Sequence, residues 1–345
     1  MPPEVDLDRV DRWMRRSGLD GDPLEAVTVL EGGTQNLLLL LHQGDRKLVL
    51  RRPHPQGGAP RGNETIRREA RVLAALDRTD VPHPRLVAHC DDPEVIGAAF
   101  TLTEWVDGFN PGLDLPRALR HDAASQHRLG TSVVDALLTL GRVDPGQVGL
   151  AGLGRPDGWI ERQPGRWSRQ LAGYAGTAGY REDTLPGVRQ IVGWLEQHRP
   201  PDHRPGLVHG DFHLLNMLAC ADSGDVTAVV DWELCTQGDP MLDLGHLLST
   251  WPSGDDRVSV PLAAPLPGLP SRGEVVQRYL DGSGRELREL RWFETLARFR
   301  LAVIIEGTYV RSLAGRAAPD TGRAAHQRAV GLMEHALDDL PTNGR

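Results

Sequence analysis

The sequence lacks the features that staple a secreted mini-protein or hold a chain in lipid. Cysteine is scarce: Cys90, Cys220 and Cys235 are three, odd in number and far apart. That excludes a disulfide framework and a cysteine zinc site, and the three read as reduced thiols of a cytosolic protein. Long apolar runs are missing as well. The longest aliphatic run is Leu37 to Leu41, against the roughly 20 residues that a spanning helix needs. The opening MPPEVDLDRVDRWMRR has no apolar core of the signal-peptide kind. These absences predict a cytoplasmic location and no membrane partner. There is no basic excess either, with 39 Lys and Arg against 47 Asp and Glu. Nucleic acid is therefore not the expected partner, although a local basic pocket for a phosphorylated ligand stays open. No internal repeat and no low-complexity tail is found, and nothing in the sequence sets the oligomeric state.

What is present describes an ordinary folded protein of unusual length for one compact unit. At 345 residues, two lobes or two domains are expected. Hydrophobic residues make up 39% and charged residues 25%, both normal for a globular chain. A short helix fits 5–17. Strands fit 26–30, 37–41 and 47–50, the first two joined through Gly32-Gly33. Residues 53–62 read as a loop and 63–76 as a helix, with Ile66, Ala70, Leu73 and Leu76 three or four apart. Val81-Pro82-His83-Pro84 ends it, since proline cannot continue a helix. Two more strands fit 85–89 and 98–104. After Asp107-Gly108 the pattern turns helical, at 123–140, 157–175, 186–198, 273–281 and 287–315. The fold class is thus α+β, with a β-rich lobe at 1–104, a hinge at 105–110 and a larger, mostly helical lobe at 111–345.

The β-rich insert 207–231 carries the chemistry. It runs LVHGDFHLLNMLACADSGDVTAVVD. Met217 to Cys220 and Val226 to Val230 flank Ala221-Asp222-Ser223-Gly224-Asp225, a good hairpin turn. A hairpin returns its far end to its start, so Asp231 is expected beside Asp211 and Asn216. Two carboxylates and an amide oxygen at strand ends suit magnesium and phosphates.

His209-Gly210-Asp211, Asn216 and Asp231 together resemble the catalytic signature of the aminoglycoside phosphotransferase and choline kinase family, whose fold is similar to that of protein kinases. The resemblance implies a bilobal, protein-kinase-like fold, ATP or GTP as phosphate donor, Mg2+, and a small-molecule acceptor hydroxyl. It implies Asp211 as the residue that orients that hydroxyl and accepts its proton, Asn216 and Asp231 as magnesium ligands, and His209 as structural. It further places Gly32, Gly33 and Asn36 in the phosphate-covering turn and Arg51, in Leu48-Val49-Leu50-Arg51, where protein kinases carry lysine. Arginine keeps the charge and can fork onto two phosphate oxygens. Glu69 would be its ion-pair partner, and the backbone of Glu104 and Val106 would hold adenine. Val81-Pro82-His83-Pro84, residues 157–169, Gly238 to Gly245 and Arg298 to Tyr309 resemble the subfamily also found fused to acyl-CoA dehydrogenases, which hints at hydroxyacyl-CoA as acceptor.

Competing readings attach to several of these residues. Asp211, Asn216 and Asp231 could cap turns. His209 and His213 lie four apart, as in a zinc pair, but Gly210 between them argues against a helix and removes the geometric meaning of the spacing. Strand alternation turns only one of Arg51 and Arg52 inward, and Arg51 is the choice. Glu233 is either a further metal-site acid or a support, and Asp239 and Asp243 are expected to anchor the loop. Trp105 is read as hinge packing. An ATP-dependent small-molecule kinase is the leading function. An antibiotic-modifying aminoglycoside phosphotransferase, a nucleotide-binding pseudokinase module and a metal-dependent hydrolase built on Asp211, His213 and Asp231 are the rivals. The insert at 112–200 is expected to shape the acceptor site, and Arg155, Arg162, Arg166 and Arg169 favour an anionic acceptor over a polycation.

Overall fold

A computed structural model describes residues 5–30, 36–54, 59–181, 183–201, 203–252 and 258–341. Helix α1 (Leu7–Arg16) starts at Asp6, whose side chain accepts a hydrogen bond from the Arg9 backbone N–H at 3.1 Å. Strands β1 (Leu24–Val29), β2 (Asn36–Gln43) and β3 (Arg46–Pro53) follow, then helix α2 (Ala59–Leu76), β4 (Leu86–Cys90), the short α3 (Pro93–Ile96) and β5 (Phe100–Glu104). They form one antiparallel sheet in the order β1-β2-β3-β5-β4. Its register explains the burial. Leu39 pairs with Leu50 and Leu41 with Leu48, and all four are fully buried on one face with Phe100 and Leu102. Val10 and Met14 of α1 close that cluster, and Trp13 meets Phe100 edge-on at 4.9 Å between ring centroids.

The same alternation turns Arg51 to the opposite face. Arg52, one residue on, points back and donates to the Ile96 carbonyl at 2.6 Å. The sequence preference for Arg51 as the residue facing the site thus has its geometric basis in the β3 pleat.

Beyond β5 the chain runs without regular structure to Phe109, which bridges to Ala219. Helices α4 (Arg117–Arg120), α5 (Ala123–Gly141), α6 (Trp159–Ala172) and α7 (Val188–Gln197) come next. Strands β6 (Gly206–Val208), β7 (Met217–Ala219), β8 (Val226–Val229) and β9 (Thr236–Gly238) make two small antiparallel pairs, β6 with β9 and β7 with β8. Then follow α8 (Met241–Thr250), α9 (Arg272–Ser283), α10 (Leu287–Leu313) and α11 (Pro319–Asp338). A second, larger buried cluster joins these helices, and Val72, Leu73 and Leu76 of α2 belong to it rather than to the first. Helix α2 therefore ties the sheet to the helical part. No helix among the described residues is long and apolar enough to cross a membrane.

Among the longer elements, three differ from the sequence expectation. Helix α2 begins at Ala59, inside the stretch read as a loop. Helix α8 was not anticipated, because every one of its residues is buried and no polar face marks a period. Helix α11 was not anticipated either. Its buried residues Ala329, Leu332, Met333 and Ala336 have helical spacing, but two of the four are alanines and give a weak apolar signal.

Phe100 anchors the sheet core, so Phe100→Ala should cost about 3–5 kcal/mol. Urea denaturation of the purified chain measures this, and a loss below about 1 kcal/mol would mean that the sheet core collapses freely around the cavity.

Candidate active site

The β3 pleat and the middle of α2 bring two opposite charges together. Arg51 Nε lies 2.9 Å from Glu69 Oε2, in an ion pair whose partners are nearly buried. The Arg51 Nη2 end reaches across to the turn after β8, at 2.7 Å from Asp231 Oδ1 and 3.0 Å from Glu233 Oε2. Asn36 Nδ2 also donates to Glu233, at 3.1 Å, and the Trp232 backbone N–H donates to Glu69 at 3.3 Å. One cation is thus surrounded by three carboxylates. Burial pushes the Arg51 guanidinium down, but the carboxylates outweigh it and keep it charged. Burial pushes Glu69 up to about 7 against the pull of Arg51, and it pushes Glu233 up as well, with Asp231 adding to the rise. Lys47 is the single lysine in the sequence, and it lies on β3 four residues before Arg51 in the chain.

The loop between β6 and β7 holds Asp211. Gly210 has φ +86°, and a Cβ there would stand 2.8 Å from the Leu234 carbonyl oxygen, so only glycine fits. Asp243, from the first turn of α8, accepts from the His209 N–H at 2.6 Å and the Gly210 N–H at 2.9 Å. Asp239 accepts from Arg285 at 2.8 Å and from the Met241 N–H at 3.0 Å. Both acids anchor the loop from below. The Asp211 N–H donates to His209 Nδ1 at 3.1 Å, which leaves His209 Nε2 as the donor to the Val230 carbonyl, also at 3.1 Å. Burial pushes the His209 imidazole down to about 4, so it is neutral and ties the two loops together.

Asn216 donates through Nδ2 to the Asp211 carbonyl at 2.9 Å and to Asp211 Oδ2 at 3.1 Å. Its amide oxygen is left for another partner. The Val230 N–H donates to the Asn216 carbonyl at 2.9 Å, so the β7–β8 hairpin does bring the Asp231 turn back to this loop. Asp231 has φ +68°, the one positive value at a non-glycine among the described residues. A left-handed aspartate is strained backbone, of the kind that persists where surrounding contacts demand it. Asn216 and Asp231 offer hard oxygen atoms on adjoining turns, which fits a magnesium ion.

Two histidines flank Asp211; the sequence reading grouped His213 with it only in the hydrolase rival and did not assign His246. His246 Nε2, from α8, lies 3.2 Å from Oδ1, and His213 Nε2 lies 3.4 Å from Oδ2. Burial pushes the Asp211 carboxyl up, yet these imidazoles outweigh it and hold it well below the usual carboxylate range. Burial pushes His246 itself down to about 4, so it acts as a neutral dipole. His246 sits in the run Leu244 to Leu248, and a lone histidine within an apolar helix was the signal available for it.

The remaining expected residues fare differently. Gly32 and Gly33 lie outside the described residues. The Trp105 N–H donates to the Lys47 carbonyl at 3.1 Å and the Glu104 N–H to the Arg85 carbonyl at 2.9 Å. The Glu104 side chain leans outward, 3.7 Å from Arg46 and 3.6 Å from Arg85. Of the arginines between 155 and 169, Arg166 lines a pocket next to Gly210, whereas Arg162 folds onto the carbonyls of Asp157 and Arg155. A larger cavity of about 1290 Å³ lies between the 258–267 segment and α11, lined by Val260, Leu262, Leu266 and Val330 together with His326 and Arg328. Arg328 feels the charge of Asp211. Helix α11, far from the 112–200 insert in sequence, thus forms one wall of this cavity.

Asp243 supplies a test of this loop's electrostatics. Burial pushes its carboxyl up to about 7, against two N–H bonds and the Arg300 guanidinium. The folded chain therefore holds this proton to higher pH than the unfolded chain, and the stability cost grows as pH rises from the ordinary carboxylate range towards 7. Asp243→Asn cannot ionise and retains one acceptor oxygen. The melting temperature of the variant minus that of the wild type should become more positive from about pH 5 to about pH 8. A difference that stays constant across that range would overturn the assignment.

A family model described as the phosphotransferase enzyme family matches residues 26–293. The chain is 30% identical over 335 residues to mouse acyl-CoA dehydrogenase family member 10, and 29% identical over 307 residues to human acyl-CoA dehydrogenase family member 11. It matches through 93% and 87% of its own length, but spans 30% and 38% of those two proteins. Among solved structures, a candidate aminoglycoside phosphotransferase of Ralstonia eutropha is 28% identical with a TM-score of 0.78, over 97% of this chain and 99% of that one. A macrolide 2'-phosphotransferase of Brachybacterium faecium, 23% identical over 99% of both chains with a TM-score of 0.59, shares the fold. The family match over most of the chain and the shared bilobal, kinase-like architecture lead to one statement: this chain belongs to the phosphotransferase enzyme family.

Proposed function

We propose that this phosphotransferase moves the γ-phosphoryl group of ATP onto a hydroxyl of a small metabolite, with Asp211 as the residue that receives the hydroxyl. The observation that carries the reading is the environment of Asp211. A carboxyl held well below its ordinary range is a poor base in the ground state but a fixed, charged hydrogen-bond acceptor. That suits phosphoryl transfer through a loose transition state, where positioning of the nucleophile matters more than early proton removal.

The other residues take roles around it. Arg51, aimed by Glu69, would fork onto the nucleotide phosphates, with Asn36 at the edge of the phosphate-covering turn. Asn216 and Asp231 would hold Mg2+, which when bound neutralises charge on the phosphate oxygens. Asp231 now shares Arg51 with Glu233, so loading the site redistributes that guanidinium between carboxylates and phosphates. Glu233 is then a counter-ion of Arg51 rather than a metal ligand. Residues 105–110 would act as the hinge between a nucleotide lobe at 1–104 and an acceptor lobe at 111–345. Because the Trp105 N–H is spent on β3, the neighbouring Glu104 carbonyl and Val106 N–H face the other way and are free in direction to meet a nucleobase.

For the acceptor, hydroxyacyl-CoA is preferred over an aminoglycoside. The wall of the large cavity is mainly aliphatic, with Arg328 in it. That surface would welcome an acyl chain and would not gather a polycation. The names of the curated relatives point the same way, although the chain spans less than half of their length. Following ADP release with each acceptor class decides the ranking. Turnover on kanamycin-like compounds and none on hydroxyacyl-CoA would reverse it.

Two substitutions test the roles. Asp211→Asn should lower transfer about 10²–10⁴-fold while nucleotide binding, measured by calorimetry, is kept. Asp231→Ala should remove magnesium-dependent turnover with an unchanged circular dichroism spectrum. Wild-type rates in the second variant would refute the metal assignment.

A further inference from the structure

Behind the catalytic loop lies a pocket of about 500 Å³ between α2, α6 and α10, and its charge is not balanced from within. Arg68 and Arg71 come from α2, Arg166 from α6 and Arg300 from α10. Among the described residues none of the four forms an ion pair within 4 Å; Arg300 lies in the field of Asp211 and Asp243, and Arg68 donates through Nε and Nη2 to the Cys235 carbonyl. Two acids line the same wall, but Glu233 is engaged by Arg51 and Asn36 and Glu64 leans to within 3.9 Å of Arg67. Arg300 is 5% exposed, and its Nη1 is buried with no hydrogen-bond partner. Its Cζ lies 5.2 Å from the centre of the Trp167 indole, and that of Arg166 lies 5.1 Å from it. Arg166 stands at the exposed rim, where burial and the cations Arg68 and Arg162 push its guanidinium down.

Like charges gathered around one aromatic ring, with a buried N–H left unsatisfied, are costly unless an anion completes them. We infer that this pocket binds a phosphoryl oxyanion through Arg300 at its floor, Arg166 at its rim and Arg68 at its side. Guanidinium forks match phosphate oxygens, and the pocket is larger than a carboxylate needs. Its place gives the site a role. Arg300 Nη2 would lie 3.3 Å from a Cβ at Gly210, the residue before Asp211. A phosphate held here belongs either to the acceptor, as a handle that seats its hydroxyl, or to a separate phosphorylated metabolite that sets the loop. The link to the acceptor rests on the proposed function; the anion site itself does not.

The test is therefore a binding measurement made without turnover. The full chain is saturated with Mg2+ and a non-hydrolysable ATP analogue, so that Arg51 is occupied, and inorganic phosphate is titrated in by calorimetry. One site is expected, weakened about tenfold or more by Arg166→Gln and by Arg300→Gln. Exposed Arg12, on α1 and outside the pocket, serves as control, and Arg12→Gln should bind as the wild type does. If Arg300→Gln does not fold, the rim variant decides alone. Absence of binding, or binding unchanged in Arg166→Gln, overturns the site. In a second arm, phosphate that competes with a turned-over acceptor marks the group as the acceptor's own. Phosphate that changes the rate without competing marks a separate ligand. A chain that binds phosphate here yet transfers none would sink the proposed function and leave this site standing.

Discussion

The arrangement of the site depends on Arg51 and the three carboxylates around it. Glu69 comes from α2, and Asp231 and Glu233 come from the turn after β8, so one guanidinium holds the sheet, the helix and the catalytic hairpin in one geometry. Removing a buried partner from such a set typically costs about 3–5 kcal/mol, because a charge is left without compensation. The set is also short of positive charge by two if all three acids ionise. Burial answers part of that deficit by pushing Glu69 up to about 7. The rest is an electrostatic demand for cations, and under the proposed function a magnesium–nucleotide complex would bring the metal to the acids and the phosphates to the arginine at once.

Backbone constraint completes what charge begins. The left-handed Asp231 and the glycine at 210 are each fixed by neighbours that leave little choice. Gly210 sits against the Leu234 carbonyl, and the hairpin ties Val230 to Asn216 and to His209. Asp243 then caps the loop from α8. Short sequence spacings therefore become fixed positions in space, which is what a reaction governed by alignment needs.

That dependence explains how much of the molecule could be read from its residues. The bilobal fold and the meeting of Arg51 with Glu69 were legible because their determinants are local. The apolar run Leu37–Leu41, the pleat that separates Arg51 from Arg52, and the turn at 221–225 each act over a few residues. The glycine at 210 also ruled out the helical reading of His209 and His213. The surroundings of Asp211 supplied by the later helices were not legible in the same way. Helix α8 hides its polar members inside a uniformly buried run, and α11 is marked largely by alanines. His246, Arg300 and Arg328 are brought to Asp211 by elements that lie 35 to 117 residues further along the chain, so no spacing announces them. The four arginines near 155–169 looked equivalent in sequence. Only α6 packing separates Arg166, turned into a pocket, from Arg162, folded onto carbonyls.

The same dependence sorts residues of one type into different tasks. Asp211, Asp243 and Glu69 are all acids withdrawn from water within one small region, and burial alone would raise all three. Asp243 and Glu69 do rise to about 7, and both serve as structural acceptors of backbone N–H groups. Asp211 alone is driven the other way, by His213 and His246, and alone stays firmly ionised. It does so with Arg300 and Arg328 close enough to feel it. Under the proposed function, an anion fixed among cations and imidazoles would attract a hydroxyl proton without repelling an acceptor that carries negative charge elsewhere. The division of labour among these carboxylates thus follows from where each is buried and what faces it, not from the residue type that the sequence records.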